Sequence, residues 1–364
     1  MTDIERWTRV ELASWPTPLE RMPRLAWALG LGEDDLWVKR DDLTGLGGGG
    51  NKVRKLEWLA GTALGDGATT LVTSGAPQSN HARLTAAAGA RLGLEVVLVL
   101  TGEPSASESG NLVLDRILGA RVVRVGQQSS AEIDEIVQDV ADSLRASGSV
   151  PAVIPFGGSS VLGARGYVDA GRELAQQAPD LDTVVVAVGS GGTMAGLIHA
   201  LGADRVLGVD CGATSDPATI VTGLVEGMSP GLEIGKLRLR LDQVGGGYSE
   251  LTSQVENAIV MAARTEGIIL DPIYTGRALA GMIAAVHDQD ITPGRHRPPP
   301  QRGTARFVRT QARRFVGWRA DGAPIIRTLM QLKVCFPSSG PVGLCRDVAL
   351  PHLATNPRHG VRLG

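Results

Sequence analysis

Up to about residue 290 the chain alternates between short apolar runs and amphipathic stretches, and this alternation constrains the fold more than any other feature. LWVKR (36–40), TLVTSG (70–75), LEVVLVL (94–100), ARVVRV (120–125), PAVIPF (151–156), TVVVAV (183–188) and RVLGVD (205–210) read as buried strands. They are short, rich in Val and Leu, and not cleanly alternating, as expected when helices cover both faces of a parallel sheet. Between them KVRKLEWLAGTAL, SNHARLTAAAGARLG, NLVLDRILG and SAEIDEIVQDVADSLRASG carry apolar residues at helical spacing. The expected fold is α/β with right-handed crossovers. So many strands exceed one sheet of ordinary size, so two sheets are predicted.

Three strand-to-helix loops are rich in the groups that chemistry uses. In TGLGGGGNKVRKLEWL (44–59) a glycine run leads through Asn51 to Lys52 and a helix. Glycines let a backbone approach a ligand, and helix N-termini attract anions. The Walker pattern fails, because Asn51 separates the glycines from the lysine and Val53 stands where Ser or Thr should follow. Lys52 is then either a nucleophilic amine at a half-buried turn or a solvated lysine beside a flexible cap. In VTSGAPQSNHARLTAAAGARLG (72–93), Ser79 and Asn80 sit at a helix start, where capping alone would explain them. His81 reads as a packed or solvated histidine. In VVVAVGSGGTMAGLIHAL (184–201), Gly189, Ser190, Gly191, Gly192 and Thr193 offer consecutive N–H groups and two hydroxyls, a cradle for one phosphate. The dinucleotide pattern fails at Met194, and a plain tight turn is the alternative. Tyr248 and Tyr274 lie in loops, as site or rim residues.

Composition removes other classes of function. The net charge of −2 and the 4% aromatic content give no platform for nucleic acid. Cys211, Cys335 and Cys345 show no metal-ligand or disulfide spacing. No apolar run approaches a membrane span, and the N-terminus is not a signal peptide, so a cytoplasmic protein is expected.

The motifs together, WPTPLE (15–20), WVKRDDLTG, GGNKVRKLE, QSNHAR, VGSGGTMAGL and LDPIYTGRAL, resemble in order the D-cysteine desulfhydrase and 1-aminocyclopropane-1-carboxylate deaminase family over about residues 10–293. These are pyridoxal 5'-phosphate enzymes of the tryptophan-synthase-β-like fold. The resemblance implies that Lys52 holds the cofactor as a Schiff base and shuttles the substrate's Cα proton, and that Asn80 bonds the ring hydroxyl. It implies phosphate binding by 189–193, a substrate contact for Ser79, and Tyr274 with Tyr248 facing the substrate. It further implies a larger domain (1–52 and 166–290), a smaller inserted one (53–165), and a homodimer acting on a small amino acid without nucleic acid, membrane or metal. Cyclopropane deaminases usually carry Glu after the tyrosine and SNQTR in the serine loop. Here Thr275 and SNHAR follow the desulfhydrase pattern and favour D-cysteine. Cyclopropane deaminase and L-cysteate sulfo-lyase are the alternatives within the fold, and a catalytically impaired cofactor-binding protein is the alternative outside it.

The resemblance stops near Gly294. Residues 291–364 hold 13 Lys+Arg and two acids. Prolines 298–300 stand where relatives have a buried strand and a glycine loop for the pyridine nitrogen, and Pro is excluded from a central strand. With permitted codons for His296 to Arg309, reading one base later can give TVLHLSGGLPGLFG, so a frameshift is inferred. A natural basic tail for anionic partners is the alternative. For the tail as written, a missing sheet strand and disordered or poorly packed residues are expected.

Overall fold

The computed structural model describes residues 7–102, 109–292 and 328–331. Its strands are β1 (Leu19–Arg21), β2 (Leu36–Lys39), β3 (Thr70–Gly75), β4 (Glu95–Leu100), β5 (Arg121–Arg124), β6 (Pro151–Val153), β7 (Thr183–Val188), β8 (Val206–Asp210), β9 (Arg238–Arg240) and β10 (Thr328–Gln331). The helices are α1 (Pro23–Ala28), α2 (Lys52–Gly65), α3 (Asn80–Leu92), α4 (Asn111–Ile117), α5 (Ser130–Ala146), α6 (Val161–Gln177), α7 (Gly192–Leu201), α8 (Pro217–Met228), α9 (Ser253–Glu266) and α10 (Thr275–His287). Among the described residues there are two sheets, ordered β1-β2-β10-β7-β8-β9 and β5-β4-β3-β6. All pairings are parallel except β1 with β2. The α/β, mostly parallel, two-sheet expectation is met.

Each sheet is covered on both faces, and for that reason its strands are apolar along their length. In β7, Val185 faces a core with α1, α9 and α10. Its neighbours Val184, Val186 and Val188 face the other way, onto α6, α7 and α8. In the smaller sheet Leu98 and Leu100 of β4 pack under α2 and α3. Val97 and Val99 meet α5 instead. Each such buried side chain contributes about 1.5–3 kcal/mol. α2 meets its core through Val53, Leu56, Ala60 and Ala63, one face of a 3.6-residue period.

One expectation for the tail is overturned. The large sheet does not lack a strand there: Thr328–Gln331 lies between β2 and β7 and pairs in parallel with both. The sequence TLMQ carries no proline, so its backbone donors serve both neighbours, which residues 298–300 could not offer. The expected disorder of the remaining tail, and prolines 298–300 themselves, lie outside the described residues.

Candidate active site

The C-terminal ends of β3, β6 and β7 and the start of α2 supply the candidate residues, as is usual in open parallel sheets. The glycine run must be glycine: at Gly49 φ is +77°, and a Cβ would stand 1.9 Å from the Asp42 carbonyl oxygen. The chain can then turn sharply into α2, with Asn51 at the N-cap and Lys52 first in the helix. Lys52 Nζ donates to the Gly157 carbonyl at 2.7 Å. Gly157 also has positive φ, and a Cβ there would lie 2.3 Å from Ser190 Oγ and 3.2 Å from Lys52 Nζ. Lys52 and the 189–193 loop therefore converge on one glycine after β6.

That loop joins β7 to α7 through Gly191, whose φ of +77° an L side chain rarely adopts. Ser159 Oγ links its parts: it lies 2.7 Å from Ser190 Oγ and accepts from Gly192 N at 3.2 Å and from Lys55 Nζ at 2.8 Å. Lys55, 1% exposed, comes one helical turn after Lys52, and Thr193 is also buried. A buried lysine amine, three hydroxyls and a helix N-terminus gather hydrogen-bond donors in one place. Lys55, Gly157 and Ser159 carry no motif that marks them in the sequence. The i, i+3 spacing of the two lysines and the GGSS that follows β6 were the available signals.

Ser79 and Asn80 begin α3. The Ser79 hydroxyl accepts from Ala82 N at 3.2 Å, so it does cap the helix. Asn80 is buried, and its Oδ1 accepts from Arg83 Nη1 and from Asn111 Nδ2, both at 3.0 Å. His81 is packed as expected, with Nε2 3.0 Å from Thr73 Oγ1. On the other side, the Tyr248 and Tyr274 hydroxyls are 2.7 Å apart. A Cβ on Gly189 would meet the Tyr274 ring at 2.9 Å, so this tyrosine abuts the 189–193 loop. Burial pushes the Tyr274 hydroxyl well above its usual pKa, and the Tyr248 hydroxyl adds to the effect. Tyr274 is held by Asp271, which accepts from the backbone N–H groups of Ile273, Tyr274 and Thr275.

Behind Lys52 lies a buried ionic cluster. Asp41 accepts from Arg54 Nε at 2.8 Å, Thr17 Oγ1 at 2.8 Å and Tyr167 OH at 2.8 Å. Arg54 also reaches Glu173 and stacks 4.0 Å over the Trp15 ring. Lys39 pairs with Glu173. Burial pushes the Asp41 carboxyl up, but Arg54, Tyr167 and Thr17 outweigh it and hold the group below the usual carboxylate range. Burial lowers the Lys39 amine, against the pull of Glu173. The Tyr167 hydroxyl lies 3.1 Å from the Asn51 carbonyl oxygen, which ties the cluster to the residue before Lys52.

An amine at the mouth of an anion cradle, walled by hydroxyls, fits a cofactor that carries both an aldehyde and a phosphate. Asn51 Oδ1 beside Lys52, and Thr214 Oγ1 on the loop passing Gly189, are buried without a hydrogen-bond partner among the described residues, so polar capacity remains there. Among these residues no group of His, Cys, Asp and Glu could hold a metal ion, and no helix is long and apolar enough to cross a membrane.

The fold and the site define a pyridoxal-phosphate-dependent enzyme. The model of the family described as "Pyridoxal-phosphate dependent enzyme" matches residues 10–296, and the chain belongs to that family. Two relatives narrow the branch. A Klebsiella pneumoniae D-cysteine desulfhydrase is 40% identical over 304 residues, 79% of this chain and 90% of the relative. A Pyrococcus abyssi protein, provisionally named 1-aminocyclopropane-1-carboxylate deaminase, is 39% identical over 302 residues, 79% of this chain and 89% of its own length. The crystal structure of a 1-aminocyclopropane-1-carboxylate deaminase homologue superposes with a TM-score of 0.73 at 37% identity, covering 79% of this chain and 90% of that one. A threonine deaminase from Solanum lycopersicum, 17% identical with a TM-score of 0.58 over 90% of this chain and 81% of that one, shares the fold.

Proposed function

We propose that this chain catalyses α,β-elimination on a small β-substituted amino acid, with D-cysteine as substrate: D-cysteine and water give pyruvate, ammonia and hydrogen sulfide. The carrying observation is the convergence of the Lys52 amine and the Gly189–Thr193 cradle on Gly157, with the Tyr248–Tyr274 pair beside Gly189. Pyridoxal phosphate, when bound, supplies an electron sink for the charge left at Cα. Lys52 attaches the cofactor and moves the Cα proton, its amine aimed by the Gly157 carbonyl. Gly189, Ser190, Gly191, Gly192 and Thr193 hold the phosphate with Lys55 and Ser159. Asn80 donates to the ring oxygen, and Ser79 binds the substrate carboxylate. Tyr274, kept protonated by burial, stands with Tyr248 to give its proton to the departing sulfur.

The residue after Tyr274 supports sulfide rather than ring-opening chemistry. Thr275 is 2% exposed and its Oγ1 is tied to Asp271 Oδ2 at 2.7 Å, so it places no carboxylate beside the tyrosine. The division at residues 53–165 belongs to the same reading, supported by β3 to β6 all falling inside those bounds. A homodimer rests on the resemblance alone, and a cytoplasmic location on the sequence reading above. One observation favours a second reading, cofactor binding without turnover: the family match ends at residue 296, just inside the basic tail of 291–364.

The test is product analysis of the cofactor-loaded protein with D-cysteine, L-cysteine, L-cysteate and 1-aminocyclopropane-1-carboxylate. Sulfide and pyruvate from D-cysteine are expected. Sulfite from cysteate or 2-oxobutyrate from the cyclopropane would replace the substrate assignment, and no product from any would support the second reading.

A further inference from the structure

Asn80 and Arg83 are three residues apart on the first turn of α3, so their side chains share a face. Arg83 is fully buried. Its Nη1 donates to Asn80 Oδ1 at 3.0 Å and to Asn111 Oδ1 at 2.9 Å, and its Nη2 donates to the Gly49 carbonyl at 2.9 Å. Asn111 Nδ2 gives Asn80 Oδ1 a second donor and reaches the Gln78 carbonyl at 2.8 Å. A guanidinium only donates and stays charged. Rotating the Asn80 amide by half a turn would set its NH2 against two donors, which a buried site does not tolerate. The NH2 end is thus fixed as the end a ligand oxygen meets, and a positive charge behind the carbonyl strengthens it as a donor. The same guanidinium grips the glycine run three residues before Lys52.

We propose that Arg83 is a positioning residue: it locks the Asn80 amide with its donor end toward the cofactor's ring oxygen, and through Gly49 it registers that donor against Lys52. The proposal rests on the reading of Asn80 given above. Asn111 is its helper, and Asp115, 1% exposed on α4, lies close enough for Arg83 to lower its carboxyl pKa against the larger effect of burial.

The experiment compares the parent with Arg83→Lys, Asn111→Ala, Asn80→Ala and the Arg83→Lys/Asn80→Ala double variant. Two quantities are read: the Kd for pyridoxal phosphate by equilibrium dialysis, and the pH midpoint of the bound cofactor's visible absorption. Lysine keeps the charge but not the fork. Arg83→Lys is expected to weaken cofactor binding about tenfold, the effect of losing one charge-assisted hydrogen bond. It should move the midpoint in the same direction as Asn80→Ala, with Asn111→Ala moving it less. The double variant should go no further than Asn80→Ala, because the arginine acts through the amide. If Asn80→Ala shifts both quantities while Arg83→Lys leaves them at parent values, or if the two shifts add in full, the positioning role is overturned and the Asn80 reading stands. If Asn80→Ala itself shifts nothing, the Asn80 reading fails and the proposal with it. Should Arg83→Lys not fold, Asn111→Ala decides: no shift of the midpoint refutes the locked amide.

Discussion

Asp115 tests how well the interior behind α3 is sealed. Its carboxyl is 1% exposed, neither oxygen has a hydrogen-bond partner among the described residues, and burial pushes its pKa up to about 7 against a smaller opposing effect of Arg83. Folding therefore favours the protonated acid, and stability must fall as pH rises from the unfolded pKa toward the folded one. With an unfolded pKa near 3.9 and a folded one of about 7, linkage gives a cost to folding of roughly 1.5 kcal/mol at pH 5 and about 4 kcal/mol at pH 8. Asparagine has nearly the same shape and does not titrate in this range. Asp115→Asn should therefore gain on the parent by about 2.5 kcal/mol between pH 5 and pH 8, mostly below pH 7. Urea unfolding of both proteins across that range, at equal m-values, measures the difference, and other titrating groups cancel in it. A flat difference curve would show Asp115 ionised in the native state and refute the sealed pocket.

Other perturbations probe the scaffold and the site. Glu57 accepts from Arg9 Nε, Trp15 Nε1 and the backbone N–H groups of Leu12 and Ala13, so Glu57→Ala should cost about 3–5 kcal/mol and expose residues 7–15 to limited proteolysis. Tyr167→Phe removes the hydroxyl that donates to buried Asp41 and lies beside the Asn51 carbonyl, and should cost about 1–3 kcal/mol by thermal unfolding while lowering the labelling rate of Lys52 by amine reagents. Lys52→Ala should abolish turnover and borohydride-stable attachment of the cofactor, with circular dichroism unchanged. Because burial raises the Tyr274 pKa, its ultraviolet titration should begin above the ordinary tyrosine range, and Tyr274→Phe should remove that late component.

The sequence made the architecture readable where helices cover both faces of a strand. The strands β2 to β8 announce themselves as Val- and Leu-rich runs, whereas β1 (LER) and β9 (RLR) are three residues long and mostly charged, with no apolar run to mark them. PAVIPF reads as one strand but pairs only over Pro151–Val153, because the chain must leave the sheet to bring Gly157 under Lys52. β10 was invisible: TLMQ sits in a text of arginines and prolines, and only the slot between β2 and β7 makes it a strand. Within the site, local motifs pointed to Lys52, Asn80 and the 189–193 loop. The cluster of Lys39, Asp41, Arg54 and Glu173 was not legible, since Glu173 lies far along the chain from the other three and nothing local signals that they meet.

The position of β10 also sets an order of assembly. The smaller sheet is complete once β6 has been made, and its contacts are comparatively local. The larger sheet must hold β2 and β7 apart, each with an unfilled edge, until the chain has been made as far as β10. Long-range parallel pairing of this kind is slow, and open edges invite association with other chains. A nascent or truncated chain ending before Thr328 would therefore present two open strand edges at the centre of its future core, and its yield in the cell should depend on chaperones that shield that gap.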